Sequence, residues 1–144
     1  MTNPWVRRPV GQVRLQAWMP YEGGSNKRWI LDELGSYMRP TWNRDAVPAR
    51  WEIARPHLRS LVEAMALKFG EIDLYLEFSM RQRCDKRCQA AEGDDCVCSC
   101  MGENHGGAAY WRRWTQVGET TLVSDPEVRE RHYKVRRGDI VRER

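Results

Sequence analysis

Glu71-Ile-Asp-Leu-Tyr-Leu-Glu-Phe-Ser79 places Ile72, Leu74, Leu76 and Phe78 at every second position. Side chains alternate faces along an extended chain, so this period of two makes a strand that buries one face against a core. The residues just before it supply a partner for that face. Leu58, Leu61, Val62, Met65 and Phe69 share one side of a helical repeat, with Arg59, Glu63 and Lys68 off it, which predicts a helix over 57–69. Pro56 suits the first turn of that helix, and Gly70 suits its end.

Working outward, two arms at 38–44 and 50–54 centre on Trp42 and Trp51 and flank Asp45-Ala-Val-Pro-Ala49. Asp and Pro favour turns, so the segment predicts a tryptophan hairpin. Residues 27–37 predict a short helix, with Trp29, Ile30, Glu33 and Leu34 at helical spacing and Gly35 near the end. Residues 1–27 begin as an arm punctuated by Pro4, Pro9 and Pro20, containing one strand where Val13, Leu15 and Ala17 alternate. Downstream, 110–117 and 120–123 predict two strands, Asp125-Pro126 a turn, and 132–137 a short strand before a charged end. The expected architecture is α+β: a small antiparallel sheet with one main helix at about 57–69, plus a metal-stapled, cysteine-rich lobe. It divides one compact domain into a strand, helix and hairpin region at 1–79, a metal-binding insert at 80–110, and closing strands with a basic tail at 111–144.

The chain has 144 residues, 41% apolar and 31% charged, which suits a single globular domain. No apolar run approaches a membrane span, and Met1-Thr-Asn-Pro-Trp-Val-Arg-Arg8 lacks the hydrophobic stretch of a secretion signal. A cytoplasmic protein with no membrane partner is therefore expected. An odd count of five cysteines agrees with a reducing compartment.

Those five cysteines all fall in Cys84-x3-Cys88-x7-Cys96-x-Cys98-x-Cys100, and His105 follows. Soft donors gathered this closely suit zinc. Cys84 and Cys88 share a face if their segment is helical. Cys96, Cys98 and Cys100 share a side if theirs is extended, but at about 3.3 Å per residue the outer two lie roughly 13 Å apart. Two thiolates on one zinc sit within about 4 Å of each other, so the segment must bend, omit a thiol, or hold more than one metal. The favoured ligands are Cys84, Cys88, Cys98 and Cys100, with Cys96 and His105 as substitutes. An iron–sulfur cluster and a metal-free thiol cluster are the alternatives. A catalytic zinc would need a nearby general base, for which Glu103 is the candidate.

Cys84-Asp-Lys-Arg-Cys88-Gln-Ala and Cys96-Val-Cys98-Ser-Cys100-Met-Gly-Glu-Asn104-His105-Gly106 resemble a motif in small proteins of actinobacteria and their phages. The resemblance covers about 25 residues and implies that Gly102, Asn104, His105 and Gly106 belong to the same local fold, without implying an activity. Residues 19–78, through the Trp42 and Trp51 hairpin, Arg50-Trp-Glu-Ile53, the helix and the strand after it, resemble the HARP domain of annealing helicases. That likeness implies a DNA-structure-binding module detached from any motor, since no G-x-x-x-x-G-K-[ST] sequence is present.

The formal net charge is +4, and arginine heavily outnumbers lysine among the 24 basic residues. Arginine forks onto phosphates and stacks on bases. The hairpin offers Arg39, Trp42, Arg44, Arg50 and Trp51. Tyr110-Trp111-Arg112-Arg113-Trp114 repeats the mixture, and 128–144 holds seven Lys or Arg, Arg136 and Arg137 among them, against three acids. The expected function is a zinc-stapled protein that binds nucleic acid, DNA favoured, at single strands or forks through Trp and Arg surfaces. The alternatives are a zinc-stabilised adaptor for a host or phage protein, built on seven tryptophans, and a metal-dependent hydrolase or nuclease. No H-E-x-x-H, G-x-S-x-G or paired-carboxylate signature accompanies the three histidines, His57, His105 and His132, so an enzyme is not expected.

Overall fold

A computed structural model describes residues 3–10, 14–20, 25–35, 39–46, 49–54, 57–80, 114–121 and 127–140. The alternating stretch forms the strand Glu71–Ser79, and Ile72, Leu74, Leu76 and Phe78 are all completely buried. In chain order the strands are β1 (Trp5–Arg8), β2 (Arg14–Trp18), β3 (Thr41–Asn43), β4 (Arg50–Ala54), β5 (Glu71–Ser79), β6 (Thr115–Thr121) and β7 (Val128–Arg136). They make one seven-stranded sheet in the order β3-β4-β2-β1-β5-β7-β6. β1 runs parallel to β5, and the other described pairs are antiparallel. The sheet is thus mixed, where an antiparallel one was expected.

Two helices connect the strands. α1 (Asn26–Leu34) is capped by the Ser25 hydroxyl, which accepts from the Arg28 amide at 3.2 Å, and ends at Gly35 with φ 99°. α2 (Leu58–Phe69) ends at Gly70 with φ 89°, the left-handed region in which a side chain would be strained. Each helix links strands that run the same way, β2 to β3 and β4 to β5, and such a connection must cross over the sheet. Ile30 from α1 and Leu58, Leu61, Val62, Met65 and Ala66 from α2 join Val6, Leu15, Ala17, Ile53, Ile72, Leu74, Leu76, Phe78, Tyr133 and Val135 in one core. Trp29 meets Phe69 edge to face at 6.2 Å where the helices touch. The helices therefore share one face of the sheet. Among the described residues, no helix is long and apolar enough to cross a membrane.

Two terminal segments differ from expectation. The N-terminal arm supplies β1, an interior strand whose Val6 and Arg8 are fully buried. Pro4 and Pro9 lie just outside its four residues, where neither removes a donor from the ladder, and the Pro4 carbonyl accepts from the Asp73 amide at 2.9 Å. The basic tail likewise supplies β7, inserted between β5 and β6 along nine residues. Over Thr115–Thr121 one strand, β6, interrupted by a bulge between Gln116 and Gly118, runs through the break expected between strands at 110–117 and 120–123; 110–113 and 122–123 lie outside the described residues. The cysteine-rich segment, 84–105, lies outside the described residues.

Candidate nucleic-acid interface

The face of the sheet opposite the helices is set by the same alternation that builds the core. Buried Val6, Leu15, Ala17, Ile53, Ile72 and Leu74 turn toward α1 and α2, so their strand neighbours turn the other way. Trp5 and Trp18 are cross-strand partners on that open face, and Trp5 is also in register with Asp73, Asp73 with Lys134, and Lys134 with Thr115. One row further along, the register reads Thr41, Glu52, Gln16, Arg7, Tyr75, His132 and Gly118 across all seven strands. No described element covers these two rows.

Within the second row the rings are ordered. Tyr75 and His132 stack at 4.5 Å with their planes 15° apart, and the Arg7 guanidinium lies 5.0 Å from the Tyr75 centroid on the adjoining strand. His132 Nε2 lies 2.7 Å from Asp73 Oδ1, which fixes the ring. Lys134 Nζ bridges Asp73 at 3.3 Å and Glu71 at 3.2 Å, and its hydrogen bond to Glu71 holds the ammonium pKa up and the Glu71 carboxyl pKa down. Burial raises the Tyr75 phenol, with the Asp73 charge adding to it. Burial also raises Glu77, with Glu130 opposite it adding repulsion, although the carboxylate accepts a hydrogen bond from the Val10 amide at 3.1 Å.

The cations of this face are paired with acids. Arg7 faces Glu130 at 3.5 Å, Arg50 faces Glu52 at 3.7 Å, and Arg136 contacts Glu71 at 3.3 Å. The first two pairs are loose: Nε of Arg7 and of Arg50 is buried without a hydrogen bond, as is Nε of Arg14. The face therefore offers aromatic rings among paired charges, on a nearly neutral ground.

The residues singled out from sequence fall in several places. Trp51 packs against the core on the helix side, and Trp42 meets it edge to face at 5.2 Å while remaining 44% exposed at the outer strand. Their neighbour Arg50 points to the open face, so Arg50 and the two tryptophans do not form one surface. Arg39 and Arg44 are exposed near Trp42, and the Arg39 carbonyl accepts from Arg14 at 2.6 Å. Arg137 serves the fold: its Nε donates to the Leu67 carbonyl at 2.9 Å and its amide to Gly70 at 2.8 Å, closing the end of α2. Trp114 is buried in the core. Trp111, Arg112, Arg113, Cys84, Cys88, Cys96, Cys98, Cys100 and His105 lie outside the described residues. Among the described residues, no group of three or more His, Cys, Asp or Glu side chains is placed to hold a metal.

Sequence reasoning missed Trp5, Trp18, Arg7, Asp73, Tyr75 and His132 as one surface. The signal within β5 was present, since Tyr75 interrupts the acids Glu71, Asp73 and Glu77 on the polar side. Trp18 ends the strand expected through Val13, Leu15 and Ala17, and His132 begins the strand expected over 132–137, whereas the strand of Trp5 and Arg7 was hidden between prolines. The chain matches no protein-family model, no curated protein and no solved structure.

Proposed function

We propose that this protein binds single-stranded nucleic acid across the open face of its sheet. One observation carries the reading: Trp5, Trp18, Tyr75 and His132 stand on four adjacent strands of a face that no described element covers, with the Arg7 guanidinium beside the Tyr75 ring. An open sheet bearing aromatics is a platform on which unpaired bases stack, whereas a duplex hides those faces. Because the local cations already have carboxylate partners, stacking carries more of the affinity than phosphate contact, and the salt dependence is shallow for a nucleic-acid complex.

The same pairing of charges supports a second reading, a protein partner anchored by Trp, Tyr and Arg, the residues that dominate interface energies. Photo-crosslinking separates the two. A single-stranded oligonucleotide carrying a photoreactive base should attach to peptides containing Trp5, Trp18, Tyr75 or His132; absence of attachment, or attachment confined to α1 and α2, would discard the platform. A zinc staple formed by Cys84, Cys88, Cys98 and Cys100 is part of the proposal, supported by the spacing of the thiols.

A further inference from the structure

Tyr75 and His132 face each other across neighbouring strands with nearly parallel rings. Tyr75 therefore occupies one face of the imidazole, and the other face looks toward β6. The residue of β6 in register with His132 is Gly118, which has no side chain to fill that position. A methyl group built on Gly118 would meet only the His132 Cβ, at 3.8 Å, with no other described atom within 4 Å. The absence of a side chain is not demanded by the backbone, because Gly118 is not among the positive-φ residues. Glycine inside a strand weakens it, and marks a bulge, a tight bend or a close approach by a ligand or another backbone. The bulge immediately before it, between Gln116 and Gly118, is the type of irregularity that re-aims side chains beside binding sites.

We propose that the gap over Gly118 is a slot for one nucleobase, which stacks on the free face of His132 and extends the Arg7–Tyr75–His132 stack by one layer. This rests on the platform reading and deepens it by assigning one base to one position. Asp73 holds the imidazole upright through Nε2, so the ring presents a fixed plane, and the side chain is 29% exposed. Thr115 and Thr120, in register with Lys134 and Glu130, flank the slot on β6 and supply hydroxyls for the edge of the base. A purine fits best, since its larger ring system covers more of the imidazole. The charge on this part of the face is mixed, with Lys134 beside Asp73 and Glu130 beyond, so the slot selects a flat ring rather than an anion.

The test is Gly118→Val, read by the anisotropy of labelled single-stranded oligoadenylate together with thermal unfolding. Valine favours a strand and its Cβ fits at ordinary contact distance, so the variant should unfold no earlier than the parent protein. Its affinity for the oligonucleotide should fall at least about fivefold, the loss of one stacked base. Trp18→Ala serves as the control for the platform. If Gly118→Val binds like the parent while Trp18→Ala is weakened, the slot is refuted and the platform stands; if the parent binds no oligonucleotide, both fall. Should the valine variant fail to fold, the unaltered protein still decides the matter. The His132 ring protons should move upfield on addition of oligoadenylate, and unmoved signals at saturation would overturn the slot.

Discussion

At the scale of single residues, the open face stores unfavourable as well as favourable electrostatics. Glu77 is the clearest case: burial and the opposing Glu130 raise its carboxyl pKa, while the Val10 amide supplies the main compensation. A carboxyl raised in the folded state binds more protons there than when unfolded, so stability falls as pH climbs from the ordinary carboxylate value to the raised one. Glu77→Gln keeps an oxygen for Val10 and removes the charge. The variant should be at least as stable as the parent at neutral pH, and chemical denaturation across pH 4 to 7 should show a flatter profile, whereas a clear loss of stability at neutral pH would mean that the charge is favourable. Arg8 is the opposite case, a fully buried guanidinium on the core face that donates to the Glu77 carbonyl at 2.7 Å and lies 4.9 Å from the Phe78 ring. Its hydrogen bond ties the end of β1 to β5.

At the scale of elements, legibility followed the reach of the interactions that make each one. β5 and α2 could be read directly because Leu74 and Leu76, or Leu61 and Met65, carry their burial in a local period. β7 could be read only in its second half, as the short strand expected over 132–137, because only Tyr133 and Val135 of its core-facing side are apolar, while Arg131 takes that side with its guanidinium reaching Glu119 at 3.3 Å and lying 5.9 Å from the Phe78 ring. The place of its first half depends on partners far away in sequence, so the local pattern there matched that of a solvated end. The same reasoning turned the parallel pairing of β1 with β5 into an arm: four residues between prolines carry too little pattern to show it. The consequence is direct. A protein ending at residue 127 lacks an interior strand and should show no cooperative unfolding by circular dichroism, whereas a folded 1–127 would return β7 to a dispensable tail. The hairpin was legible as a hairpin but not in its division of labour. Trp51→Ala removes core packing and should cost about 2 to 4 kcal/mol, whereas Trp42→Ala at the exposed edge should cost about 1 kcal/mol or less, as measured by denaturant titration.

At the scale of the whole molecule, the described residues place two helices on one side of the sheet and polar and aromatic side chains on the other. The cysteine segment enters this account through its sequence: five thiols within 17 residues, placed between β5 and β6. Purified without chelator, the protein should carry about one zinc per chain, and Cys84→Ser or Cys88→Ser should release it; elemental analysis showing no metal, or stoichiometric iron, would remove the staple. The proposed activity itself depends on the open face and is independent of that result. Its most direct test is a titration of labelled single-stranded oligonucleotide against the parent protein, Trp5→Ala and Trp18→Ala, each variant first shown to be folded. The platform predicts that each substitution weakens binding by about 1 to 3 kcal/mol, or roughly five- to 150-fold, with Trp42→Ala affecting binding less. Folded Trp5→Ala and Trp18→Ala proteins that bind as tightly as the parent would contradict it.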